Sequence, residues 1–269
     1  MKRVTETILV VIFNIALLFS AIALPALSLA TSKTFYEWGF RRTGIYSSMD
    51  EDGKIHKFRV DYIGGDEYIS AVFEDGQIDL ISSHIIDFMS GEAESFDLVL
   101  DGVYIVGEGE CDGVHVFGEE AIAHMEDVRG LVKAAEVLSV ISLIILVLGI
   151  IVYLIFIKRL SVSPHKISRI FYFSLLAVCA VFLLFSLVTK GERSFFLALW
   201  QNLHYIIFPF QSGKVEGSVL ADALAVILST EFFISAVAII FGILIFAVAL
   251  WLTLSFIYEK RIKYKDLYL

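Results

Sequence analysis

The sequence predicts an α-helical membrane protein with four transmembrane helices, an extracytoplasmic β-rich cap and interfacial helices. Three observations carry this expectation. Hydrophobic residues make up 58% of the 269 residues and the mean hydropathy is +0.79, too apolar for a soluble domain. Apolar stretches long enough to cross a bilayer recur at 8–30, 136–157, 170–189 and 231–258. Between the first two lies a polar region, residues 31–135, with 22 Asp and Glu against 8 Lys and Arg.

The first stretch follows Lys2 and Arg3 and ends in the small residues of "LSLATS", so a cleaved signal peptide is its competing reading. Its apolar core exceeds a usual signal core and three more spans follow, which favours a retained helix. Residues 31–120 read as the cap. "IHKFRVDYI" at 55–63 alternates, with Phe58, Val60 and Tyr62 on one face. The segments 68–81 and 96–106 each hold an Asp-Gly between β-rich halves, a strong short-range hairpin signal. Five to six short strands are expected.

From 121 to 135 the period changes. Ala121, Met125, Val128 and Val132 recur at helical spacing, and His124, Asp127 and Leu131 form the adjacent stripe. This predicts an interfacial amphipathic helix running into the 136–157 span, with Gly130 as the point where a bend would fall. After the 170–189 span comes "SFFLALWQNLHYIIFPF", apolar and aromatic but short, carrying Gln201, Asn202 and His204 and ended by Pro209. Residues 194–230 therefore read as an extracytoplasmic interfacial or half-inserted segment, with a second interfacial helix at 219–230 between Asp222 and Glu231.

Charge sets the orientation. Lys2 and Arg3 precede the first span, Lys158, Arg159, Lys166 and Arg169 lie between the second and third, and Lys260, Arg261, Lys263 and Lys265 follow the fourth. Both termini and the 158–169 loop then face the cytoplasm of a cell membrane, and the cap faces outward. So acidic an outer region is a poor nucleic-acid binder. The spans hold few polar groups, which argues against a transport pathway. Cys111 falls in the cap and Cys179 inside a span, so a disulfide between them is not expected.

His124 and His204 map to one level, the junction of cap and membrane. Ionisable groups there are costly and tend to mark function or to be paired; the plain alternative is that both simply reach the headgroups. The residues around them narrow the choice. "FGEEAIAHMEDVRGL" at 117–131, followed by "LHYIIFP" at 203–209 and "TEFF" at 230–233, resembles the motif order of the lipoprotein intramolecular transacylases (Lit), bacterial four-span proteins with an outer cap. The cap here looks longer and more acidic than is usual for that family.

The resemblance implies an acyl shift within one diacylglyceryl-modified lipoprotein held in membrane lipid. The α-amine of its lipidated cysteine attacks its own sn-2 ester, leaving the N-acylated lyso form. No cofactor and no metal is implied. His124 and His204 would share the acid and base roles, since a histidine near pKa 6.5 suits an amine of about 7.7–8.0. Asp127, one turn after His124, would orient it, its alternative being a surface acid paired with Arg129 or Lys133. Glu231 would hold the substrate ammonium or brace the site. Trp200, Tyr205, Phe208 and Phe210 would line an aromatic chamber or form an interface belt.

Two rivals remain from the residues alone. Cys111, His115, His56 and His84 offer zinc ligands, but at no familiar spacing, and "HMEDV" is not His-Glu-x-x-His. A non-enzymatic protein using the cap to bind a partner would carry the same spans.

Overall fold

In the computed structural model, which describes residues 2–46, 48–49, 55–64, 67–156, 159–190 and 223–265, the chain divides into two compact units. One comprises Met1–Pro25, Ala135–Ile206 and Ile240–Leu269; the other comprises Ala26–Ala134 and Ile207–Ile239.

The first unit is built from long helices: α1 (Lys2–Ala30), the C-terminal part of α4 (Glu119–Phe156), α5 (Pro164–Lys190) and most of α7 (Thr230–Lys265). Among the described residues, α1, α4 and α7 are long and apolar enough to cross a membrane. Their outward faces carry bare aliphatic and aromatic side chains such as Val137, Ile155, Ile245 and Phe246. A helix apolar all round is at home only in a core or in lipid; the chain is an integral membrane protein. The helix α5 covers the expected 170–189 span and joins the group through its first turns. Ser168 Oγ accepts from Trp251 Nε1 at 3.1 Å, and Tyr172 donates to the Asn14 carbonyl at 3.3 Å. Phe13 packs on Trp251, centroids 4.6 Å apart and ring planes tilted by 43°, and lies against Gly149, where a Cβ would meet its ring at 2.5 Å.

Two carboxylates grip the short α4–α5 connection. Glu6 of α1 accepts from the Ser161 amide at 2.8 Å and hydroxyl at 2.5 Å. Glu259 of α7 accepts from Ser163 Oγ at 2.5 Å and the His165 amide at 2.7 Å, satisfying an otherwise orphaned N–H in the first turn of α5.

The second unit contains the cap. Here α2 (Lys33–Arg42) is followed by a β1–β2 pair (Ser48–Met49, Ile55–His56), then β3 (Phe58–Gly64), β4 (Glu67–Phe73), α3 (Asp75–Ser90), β5 (Val99–Leu100), β6 (Val103–Ile105), β7 (Gly109–Cys111) and β8 (Val114–His115). A four-stranded antiparallel sheet runs β3-β4-β6-β7, and β5 pairs with β8. The predicted alternating strand at 55–63 is present as β2 and β3.

Both Asp-Gly hairpin expectations are corrected. Asp75-Gly76 opens α3 instead of turning between strands. Ile78, Ile81, Ile85, Phe88 and Met89 recur at helical spacing and are buried, so the 3.6-residue period outweighs the local turn signal. Gln77 reinforces the helix start, its side-chain oxygen accepting from the Glu74 amide at 3.0 Å, and Gly91 ends it with φ of 90°. Asp101-Gly102 lies inside one arm of a long hairpin whose tip is Val106–Glu108. The register is single, Val99 opposite His115 through Ile105 opposite Gly109. Asp101 faces a second Asp-Gly, and the two interlock: Gly102 N donates to Asp112 Oδ1 and Gly113 N to Asp101 Oδ1, both at 2.9 Å. The glycines take positive φ, 65° and 71°, as such a kink requires.

The cap core holds Phe40, Phe73, Ile78, Ile81, Ile85, Phe88, Phe96, Val103, Val116 and Phe117. The short α6 (Ala223–Ile227) contributes Leu224 and Ile227 to it and packs on β3. The region read as β-rich is thus mixed, with α2 and α3 supplying much of its apolar interior.

Candidate active site

The helix α4 begins at Glu119, its first turn acidic as the partial positive charge of a helix N-terminus favours. Ala121 and Met125 are buried in the cap core, with Ile122, Val128 and Val132 half-buried against it. This is the stripe expected from the sequence, and it fixes the helix's rotation. His124 falls on the edge of the buried stripe and is half-buried, while Asp127, three residues on, is exposed. The helix continues unbroken from the cap into the apolar run, so the expected interfacial helix and the span after it are one element.

Arg129 locks this portion of α4 to the end of α3. Its guanidinium lies over the Phe88 ring, 4.7 Å from the centroid, and Nη1 donates to the Glu94 carbonyl at 3.3 Å. Sequence reasoning offered Arg129 as a partner for Asp127; the aromatic face and carbonyl take it instead. Beside it a cavity of about 380 Å³ is lined by Phe88, Glu94, Glu126, Arg129, Gly130 and Lys133.

Glu231 is in the first turn of α7 and exposed. Its neighbour Phe232 is 4% exposed and sits on α2, with centroids 4.9 Å from Phe35, 5.3 Å from Tyr36 and 5.8 Å from Phe40. Gly39 makes the seat: a Cβ there would fall 2.5 Å from the Phe232 ring. The sequence carried a signal for this contact, because a glycine within a short helix, flanked by Phe35, Tyr36 and Phe40, marks a close approach. Tyr46 closes the other side of α2, donating to Asp79 Oδ1 at 2.6 Å. Burial, and then that hydrogen bond to Asp79, push its phenol above the ordinary tyrosine range. Burial alone does the same to Tyr36.

His124, Asp127 and Glu231 therefore all belong to the cap unit. His204, Trp200, Tyr205, Phe208 and Phe210 lie outside the described residues. Among the described residues no three His, Cys, Asp or Glu side chains gather as a metal would need; His115 pairs with Asp97 at 2.9 Å.

Two solved structures resemble the whole chain. One is an in meso structure of the membrane integral lipoprotein intramolecular transacylase Lit from Bacillus cereus, a variant with a histidine-to-arginine substitution. It is 16% identical, with a TM-score of 0.57 over 96% of this chain and 95% of that one. A second in meso structure of the Bacillus cereus Lit is 15% identical, with a TM-score of 0.55 over 98% of both chains. At such identity the likeness speaks for the fold. Comparison with curated proteins gives no match. The sequence pattern of lipoprotein intramolecular transacylase Lit matches residues 7–233, which takes in both histidine segments and the opening of α7. The chain belongs to the Lit family of lipoprotein intramolecular transacylases.

Proposed function

We propose that this protein is a membrane acyltransferase that moves the sn-2 acyl chain of a diacylglyceryl-cysteine lipoprotein onto that lipoprotein's own N-terminal amine. The family match over residues 7–233 carries the reading. We further infer four spans with both termini cytoplasmic and the cap outside. The alternating basic clusters support this topology, as does the packing of α5 with α1 and α7 through Ser168 and Tyr172.

The step balances within the substrate. The amine nitrogen attacks the ester carbonyl and a general base takes its proton. The tetrahedral intermediate then expels the glyceryl oxygen, which a general acid protonates. A C–N bond replaces a C–O bond, and no co-reactant enters. His124 and His204 are the proposed acid–base pair, an imidazole being able both to accept and to donate a proton. The half-buried setting of His124 suits it to this role, since its ring is held by the helix that Met125 and Arg129 anchor. Asp127 is proposed to orient His124, and Glu231 to hold the substrate ammonium before it loses its proton. Trp200, Tyr205, Phe208 and Phe210 are proposed to line the acyl and glyceryl groups. Nucleophile and ester share one molecule, so correct folding of the substrate supplies much of the acceleration, with effective molarities on the order of 10⁵ M or more.

The test is expression in a bacterium that makes diacylglyceryl lipoproteins, with fragmentation mass spectrometry of the N-terminal lipopeptide. Acyl migration leaves the total mass unchanged, so fragmentation must locate the chain on nitrogen. The expected result is an N-acyl lyso form with the native chain and its loss in folded His124→Ala and His204→Ala. An unaltered diacylglyceryl terminus beside well-expressed native protein would overturn the activity and turn attention to the cap as a binding module.

A further inference from the structure

The exposed face of α2 joins aromatic and cationic side chains in a way that the acyl transfer does not use. The helix buries Phe35, Tyr36, Gly39 and Phe40 and exposes Trp38, Arg41 and Arg42. Trp38 is 42% exposed. Its ring packs 5.9 Å from that of Phe35, and the Arg42 guanidinium lies over it, 5.5 Å from the centroid. Arg41 lies over the Tyr46 ring at 4.8 Å. The carboxylate of α2, Glu37, is taken by Lys33 at 3.9 Å. Neither Arg41 nor Arg42 joins an ion pair among the described residues. Two cations thus stand without a carboxylate partner in a region of 22 Asp and Glu against 8 Lys and Arg.

Two membrane helices fix the depth of this face. The apolar stretch of α1, residues 8–30, is about 33 Å long at the helical rise, close to the thickness of the hydrocarbon layer. The helix α2 opens three residues after Ala30, where the Ser32 side chain caps it. In α7 the apolar run 232–258 is about 39 Å long. That exceeds the hydrocarbon and approaches the 40–45 Å, roughly, of a bilayer with its headgroups. Its first residue, Phe232, therefore falls in the headgroup layer. Phe232 is the ring seated on Gly39, which adjoins Trp38 and precedes Arg42 by three residues, roughly 4.5 Å of helix. Trp38 and Arg42 are thus held at headgroup depth, the level where an exposed tryptophan is at home. The end of α1 and the first turn of α7 both meet α2, so this depth does not depend on which side of the membrane the cap occupies.

We propose that the Trp38–Arg42 pair, with Arg41 beside it, docks the phosphate of an anionic phospholipid in the leaflet that α2 faces. Stacking engages the face of the guanidinium and leaves its in-plane N–H fork free for phosphate oxygens. Charge selects among lipids. Phosphatidylglycerol brings a phosphate alone, whereas phosphatidylcholine carries its own cation toward Arg41 and Arg42. The site is separate from the proposed acyl transfer and does not rest on it.

The full-length chain, purified and delipidated in detergent, is titrated with phosphatidylglycerol and phosphatidylcholine of matched acyl chains, and native mass spectrometry reads the bound fraction. Phosphatidylglycerol is expected to bind more tightly. Arg42→Gln and Arg41→Gln each weaken it about five-fold, the factor for one cation near an anionic lipid, and leave phosphatidylcholine unchanged. Both arginines are exposed, so these variants keep the buried seat of Phe232. Arg59→Gln, which removes an exposed cation of β3, is expected to change nothing. In vesicles, phosphatidylglycerol brominated near the glycerol end of its acyl chains should quench the fluorescence that Trp38→Phe removes. Equal binding of the two lipids, native affinity in Arg41→Gln/Arg42→Gln, an equal loss in Arg59→Gln, or an unquenched Trp38 overturns the proposal. Displacement of the lipid by glycerol phosphate at matching concentration would make the soluble ester the occupant and overturn the lipid assignment.

Discussion

Replacing Gly39 with alanine places one methyl group where the structure has room for none. Its Cβ would lie 2.5 Å from Phe232 Cε2 and 2.6 Å from Cδ2, against an optimal carbon–carbon separation of about 3.5–4.0 Å. The ring must retreat by roughly 1 Å, and Phe35, Tyr36 and Phe40 surround it. Overpacking of this kind costs about 1–3 kcal/mol. Alanine returns about 1 kcal/mol of helix propensity at an interior position of α2. The net loss is then about 1 kcal/mol, modest for stability. The larger effect is expected in turnover if Glu231 holds the proposed role, because Phe232 carries Glu231 with it, and a displacement of about 1 Å in a positioned group can cost on the order of 100-fold. Phe232→Leu in the Gly39→Ala background removes the clash, so the double variant should recover stability relative to the sum of the single changes. A coupling of about 0.5 kcal/mol or more is expected for residues in contact. Thermal unfolding of the purified chain supplies the stability cycle, and lyso-lipopeptide yield supplies the activity. Strict additivity of the two changes, with unchanged product yield in Gly39→Ala, would refute both the close approach and its link to Glu231.

Further outcomes follow from other contacts. Tyr46→Phe removes the 2.6 Å hydrogen bond to Asp79 and should cost about 1–2 kcal/mol of cap stability in denaturant titrations. The same tyrosine gives a pH signature. Its folded-state pKa is raised, so its contribution is full below the unfolded value of about 10 and is lost as pH climbs above it. Cap stability should fall above pH about 10 in the native chain and less steeply in Tyr46→Phe, with Tyr36 supplying part of the remaining slope. Asp101→Ala and Asp112→Ala each strip the acceptor from one glycine amide of the hairpin kink, and each should cost about 1 kcal/mol, read by hydrogen exchange at Gly113 and Gly102 respectively. Glu6→Gln with Glu259→Gln weakens both grips on the α4–α5 connection. Tryptic cleavage there should accelerate in inverted membrane vesicles and stay absent in right-side-out ones; cleavage from the outer side would refute the proposed topology.

Of the candidate site, the sequence made the α4 stripe legible down to single residues. Ala121, Met125, Val128 and Val132 all pack on the cap, joined there by Ile122, because a long amphipathic helix repeats its signal over several turns. The Asp-Gly pairs misled for the opposite reason. Asp75-Gly76 is a two-residue signal, and five apolar side chains of α3 with a cap core to fill outweighed it. Asp101-Gly102 does bend the chain, but its hydrogen bond goes to Asp112, eleven residues after Asp101, a partner that no local window contains.

What the sequence determined by itself was membrane class, the positions of the apolar helices, the acidic region between the first two of them and the residues that carry the family likeness. These rest on periodicity and composition, which act within one segment at a time. What the tertiary structure decided was the mixed character of the cap, the seat of Phe232 on Gly39, and the diversion of Arg129 from Asp127 to Phe88 and Glu94. Each of these joins segments far apart in the chain. Shape and desolvation at such a contact depend on which side chains arrive together, and that is settled only when the core closes around them.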